Sequence, residues 1–134
     1  MKLQDFDFRI WDNSTNKFIE FAISDNIRAI PRKNDDLVLE LWSGVCDKRG
    51  VRIYEGDVIE CEAKIAGLYK KVRGSVIFKD RCFYVLVNKD IYKLNTLSNI
   101  ELLGNIHEKK ELLKDWNEKN VWTRKSKSVN FKRN

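Results

Sequence analysis

The side chains with the plainest capacity for chemistry are three carboxylates, one imidazole and three thiols. Asp47, Glu55 and Asp57 stand close together in the chain, and carboxylates so grouped can exchange protons with a substrate or bind a divalent ion. Their surroundings argue for a different use. Glu55 and Asp57 flank Gly56 in Tyr54-Glu55-Gly56-Asp57, and Asp47 opens Asp47-Lys48-Arg49-Gly50. Both are tight-turn compositions, in which carboxylates accept backbone amides and glycine supplies a left-handed conformation. The expectation is a structural turn motif of Asp47, Gly50, Tyr54, Glu55, Gly56 and Asp57, with no catalytic residue and no metal. His107 is the single histidine, so any Ser-His-Asp or Cys-His arrangement depends on it. Its place after Gly104-Asn105-Ile106, beside a helix start, predicts a polar cap or a surface residue instead. Cys46, Cys61 and Cys82 are odd in number and lack CxxC spacing, so they read as reduced thiols rather than a zinc or redox site. The six glycines are isolated, with neither GxGxxG nor GxxxxGK spacing, which excludes a phosphate cradle of either kind. No cofactor and no small-molecule substrate are indicated.

The basic residues carry the one binding signal. Lys70, Lys71, Arg73, Lys79 and Arg81 are interleaved with Tyr69, Phe78, Phe83 and Tyr84, and small β-barrels can present such a face to single strands. Alternation along the strand equally places Lys71 and Arg73 on a solvated face, with Val72, Ser75, Val76 and Phe78 inward. The formal net charge is +6, from 26 Lys and Arg against 20 Asp and Glu. Six of the bases and no acid fall between Lys119 and Asn134, so the excess belongs to the tail. There Arg124, Lys125 and Lys127 could neutralise phosphates while Trp122 and Phe131 stack on bases or pack on a second subunit.

The elements that must position these groups are mostly strands. Phe6, Phe8 and Ile10 alternate with Asp7, Arg9 and Trp11, a half-buried strand that the Asp12 to Asn16 turn joins to Phe18–Ile23. Pro31 disfavours a long central strand after it, and Leu37 to Trp42 forms the next, with Val38, Glu40 and Trp42 on one face. The two turns frame a short strand at Arg52 to Tyr54. Lys71 to Phe78 and Cys82 to Val87 form a hairpin through Lys79-Asp80-Arg81, and short strands follow at Ile91 to Leu97 and Ile100 to Leu103. The spacing predicts one helix, Glu108 to Lys119, with Leu112, Leu113 and Trp116 in one stripe and Asn105 as its N-cap. The 134 residues suffice for one domain with its own core, and they hold no apolar run of membrane length and no signal segment, which points to a cytoplasmic protein.

Leu41 to Ile59, LWSGVCDKRGVRIYEGDVI, resembles the YopX family of small bacteriophage and prophage proteins. Its pattern there is an aromatic, a Ser/Thr-Gly pair, an Asp-Lys-x-Gly turn and Ile-Tyr-Glu-Gly-Asp. Trp42, Ser43-Gly44, Asp47 to Gly50 and Ile53 to Asp57 follow it, whereas Val45-Cys46 departs from the Leu-Lys type pair common there. FRIWDNSTNKF at Phe8 to Phe18 and NIELLGNIHEKKELL at Asn99 to Leu113 are similar to its opening and closing segments, so the likeness runs from about residue 5 to 115. The resemblance implies a mainly β fold, an SH3-like small barrel with additional N-terminal strands and one C-terminal helix. It divides the chain into a domain over 1–118 (strands 1–42, barrel 43–104, helix 105–118) and a basic tail over 119–134. It implies no activity. The reading is a non-enzymatic protein that binds a macromolecular partner or associates with itself, without a membrane; the alternative is nucleic-acid binding through the basic barrel face and the tail.

Overall fold

The computed structural model describes residues 2–19 and 35–108. The second half of the strand expected at Phe18 to Ile23, Pro31, the expected helix beyond Glu108, and the tail with Trp122, Arg124, Lys125, Lys127 and Phe131 lie outside the described residues.

The fold is mainly β, in two antiparallel sheets. The first has the order β2-β1-β3-β4 and is built from β1 (Phe8–Asp12), β2 (Lys17–Ile19), β3 (Leu37–Cys46) and β4 (Arg52–Tyr54). The second, β8-β7-β6-β5-β9, uses β5 (Asp57–Ile65), β6 (Leu68–Lys79), β7 (Cys82–Val87), β8 (Asp90–Lys93) and β9 (Ser98–Asn105). The polar run after β1 makes the expected turn, with Asp12 accepting from the Ser14 amide and hydroxyl. Two-residue turns close the β5–β6 and β6–β7 hairpins, at Ala66-Gly67 and Asp80-Arg81, and all four residues have positive φ, the conformation that matches the twist of paired strands.

Alternation builds the core. Ile59, Cys61 and Ala63 of β5 point the same way as Val72 and Val76 of β6 and Val85 and Val87 of β7, and Ile53, Leu94 and Ile100 close over them. Each such side chain contributes about 1.5–3 kcal/mol on burial. β5 enters between the sheets, so Asp57, Val58 and Ile59 are buried in succession rather than alternately. Gly74 lets β6 and β7 approach, since a Cβ there would lie 2.2 Å from the Leu86 carbonyl oxygen.

Several expectations shift. β6 starts at Leu68 rather than Lys71, and Leu94–Thr96 is a 3-10 turn instead of strand. Phe78 is 42% exposed, not core; it sits at the end of β6, where its ring packs on Phe83 of the same hairpin. The boundary expected between residues 42 and 43 falls inside β3, which continues to Cys46 and carries β4.

Candidate functional site

Where the sheets meet, four charged or titratable side chains converge. Arg9 of β1 and Glu40 of β3 are register partners, and their side chains point with Trp11 and Phe18 toward the second sheet. The Arg9 guanidinium donates from Nε to Glu40 at 2.9 Å and from Nη2 to Asp57 at 2.8 Å and the Glu55 carbonyl at 3.2 Å. It also lies over the Phe18 and Tyr54 rings, at 4.7 and 4.9 Å from their centroids. His107 Nε2 is 2.9 Å from the other Glu40 oxygen, and its ring stacks on Trp11 at 4.7 Å. The Glu40 and Asp57 side chains are 3% and 2% exposed. Two buried carboxylates therefore share one guanidinium. Burial pushes the Asp57 carboxyl above the usual range, helped by the Glu40 charge and opposed by Arg9 and the Tyr54 amide. Burial and Glu40 push Glu55 the same way.

Gly56 makes room for this cluster. Its φ is +88°, and a Cβ would lie 2.0 Å from Glu40 Oε2, an oxygen held in place by His107. Its amide donates to the Val76 carbonyl and its own carbonyl accepts from Ile106, so the turn ties β6 to the end of β9. Nearby, the Tyr54 hydroxyl donates to Asp7, which also accepts from Arg52. Burial and Asp7 together push Tyr54 up to about 12.

Asp47 serves a separate place. Its carboxylate accepts from the amides of Arg49 and Val51 at 2.9 Å and of Leu102 at 3.1 Å. Burial opposes its charge, but these amides outweigh it and hold the carboxyl below the usual range. Asp47, Glu55 and Asp57 are thus not assembled as one site: the first anchors its loop to β9, while the other two border the Arg9 cluster. Among the described residues no group of three or more His, Cys, Asp or Glu gathers as a metal site. The His107 and Glu108 amides both donate to Asn105 Oδ1, the helix that Asn105 is expected to cap lies outside the described residues, and the His107 imidazole turns inward rather than to the surface. Cys61 is buried in the core, which pushes its thiol up to about 12 and leaves it unreactive. A shallow cleft of about 220 Å³, lined by Ser43, Cys82, Phe83, Lys93 and Asn95, lies apart from all these groups.

The basic residues divide. Lys79 and Arg81 are at one end of β6 and Lys70 and Lys71 at the other, about 30 Å away at roughly 3.3 Å per residue. Arg73 pairs with Glu60 at 2.9 Å, and Lys71 reaches the same carboxylate at 3.3 Å. Lys70 and Lys71 belong to a ribbon the sequence did not single out. β9 pairs with β5 only up to Glu62, and β7 with β6 only from Ser75, so the β5–β6 hairpin runs on as two strands. Leu68 and Tyr69 near its tip are 65% and 68% exposed. Arg9, Glu40 and Asp7 were also missed, although Glu40 on the face of Val38 and Trp42 is the signal of a carboxylate placed inward.

A family model described as YopX protein matches residues 6–114. A crystal structure of protein EF1440 from Enterococcus faecalis is similar to this chain with a TM-score of 0.53 and 22% identity, over 79% of this chain and 96% of that one. At that identity the likeness is one of fold. No curated protein matches.

Proposed function

The chain belongs to the YopX family, and on that premise we propose that it is a non-enzymatic protein acting in the cytoplasm by contact with a macromolecular partner or with a second copy of itself. The observation that carries this reading is the ribbon tip, where Leu68 and Tyr69 stand largely exposed on strands that run beyond their neighbours. Leu68 and Tyr69 are the most exposed of the large hydrophobic side chains among the described residues, and neighbouring exposed apolar groups mark contacts. The groups that could do chemistry support it from the other side: Arg9, Glu40, Asp57 and Asp47 are engaged with one another or with backbone amides inside the fold. Free thiols at Cys46, Cys61 and Cys82 agree with a reducing compartment.

Sedimentation of the full chain over a concentration series, beside Leu68→Ser, tests it. A wild-type oligomer that dissociates in the variant is expected for self-association, and an oligomer indifferent to Leu68→Ser would remove the ribbon as the contact. A monomer throughout refers the contact to a different macromolecule. Nucleic acid is the second reading, favoured by the lysines on the same tip; Lys79 and Arg81, at the far end of β6, cannot share that contact.

A further inference from the structure

We infer that the outer part of the β5–β6 ribbon binds single-stranded nucleic acid, with Tyr69 as the platform for one base and Lys64 and Lys70 as phosphate contacts. This rests on the reading of the ribbon as the protein's contact surface and names its partner.

The geometry assembles the two chemistries that a nucleotide needs. Lys64 and Tyr69 are direct register partners across the hairpin, with the Lys64 ammonium 6.0 Å from the ring centroid. Directly opposed residues share a face, and the Lys64 ammonium lies over one side of the exposed ring, which leaves the other side for a base. Lys70 follows Tyr69 on the reverse face, beside Leu68. Since β7 pairs with β6 only from Ser75 onward, the β6 edge is open here among the described residues, and a strand crossing it meets Tyr69 on one side and Lys70 on the other. Neither Lys64 nor Lys70 forms an ion pair among the described residues, whereas Lys71 and Arg73 are drawn back to Glu60. An acidic peptide would satisfy the lysines but offer the ring no matching flat surface, while a nucleotide brings a phosphate and a π face together.

Charge also sets the footprint. Behind the tip, on the face of Lys64 and Tyr69, Glu62 and Glu60 stand opposite Lys71 and Arg73, and Glu101, opposite Glu60, pairs with Lys48. These cations are already engaged by carboxylates, so the cations left to meet phosphates lie at the tip and contact is confined to a few nucleotides. Two lysines on a single strand correspond to a slope of about −1.4 in log K against log salt.

Fluorescence anisotropy of the full chain with a short fluorescein-labelled oligothymidylate tests this, with a DNA hairpin duplex as the second probe. Wild type is expected to bind the single strand at ~50 mM salt, and Tyr69→Ala to bind roughly 10- to 100-fold more weakly with an unchanged melting temperature. The double variant Lys64→Gln/Lys70→Gln is expected to lower the salt slope by about 1.4. Absence of wild-type binding overturns the inference, and so do variants that bind like wild type, because the contact then lies elsewhere, for example in the bases beyond Lys119. Tighter binding of the duplex overturns the single-strand assignment. An oligomer dissociated by Leu68→Ser beside a flat anisotropy trace would keep the self-contact reading and discard this one; a monomer with a flat trace would discard this one and leave a protein partner as the ribbon's contact.

Discussion

Asp47 and Asp57 are both buried, both belong to tight turns, and both were read from the sequence as members of one motif, yet the protein holds them by opposite means. Asp47 accepts only from hydrogen-bond donors of its own loop and of β9, three of them backbone amides. Fixed dipoles surround its charge, and its carboxyl sits low. Asp57 depends on a side chain from β1, Arg9, which it shares with a second buried carboxylate. Its carboxyl sits high. Backbone amides stabilise a buried charge locally and cannot be lured away, whereas a shared guanidinium stabilises it only while the two sheets stay together. The first arrangement organises a loop; the second makes the junction of the sheets conditional on one residue.

The sharpest way to break this contrast is Arg9→Met, which keeps much of the aliphatic stem and leaves Glu40 and Asp57 buried without a cation. Chemical denaturation should register a loss of about 3–5 kcal/mol, the cost of orphaning buried charge. A loss under ~1 kcal/mol would show that the buried pair does not depend on Arg9. Asp47→Ala should cost less, about 2 kcal/mol, because the Arg49 and Val51 amides face water once released and only the Leu102 amide is poorly placed to do so. If Asp47→Ala proves the costlier of the two, the ranking drawn from charge is reversed.

Gly56→Ala comes next, at about 1–2 kcal/mol, from the left-handed backbone and the displaced Glu40 oxygen together. Combining it with Glu40→Ala separates the causes: the strain of φ persists in the double variant, while the part due to the displaced Glu40 side chain does not.

The smallest effect is the pH dependence, where the two aspartates should differ in sign. Asp47, held low, contributes stability that is present above about pH 4, the unfolded value, and is lost as pH falls through its lower folded value. Asp57, held high, is penalised as pH rises through its folded value, so protonation relieves it. Melting curves between about pH 7 and 3 should therefore show Asp47→Asn flattening the acid decline. Asp57→Asn should instead steepen it, because it removes a group whose protonation stabilises the fold, and a decline flattened by both variants would refute the opposition.

Much of the scaffold was legible because it is encoded locally. Alternation located β1, β3 and β7, and the Asp47 to Gly50 and Glu55 to Asp57 compositions located both turns, since each needs only its own few residues. The clusters were not, because they are made by pairs far apart in the chain: Arg9 with Glu40, Glu40 with His107. Residue type alone could not say that the single histidine would stack on Trp11. The layout of the basic middle was not legible either: along the twelve-residue strand Lys70 and Lys79 stand about 30 Å apart, a fact of strand rise that composition does not register. The ribbon went unnoticed because Ala66-Gly67 is a turn whose importance comes from where neighbouring strands stop.

The loop around Asp47 has a bearing on the company this protein keeps in concentrated solution. β9 is the outermost strand of the larger sheet, and the loop lies along it: the Lys48 amide donates to the Ile100 carbonyl, Leu102 donates to Asp47, and Arg49 donates to the Leu102 carbonyl. Backbone groups that would otherwise template a foreign strand are already answered by the protein's own chain. The same four residues that make a turn therefore act as a stopper against sheet growth from molecule to molecule along this edge.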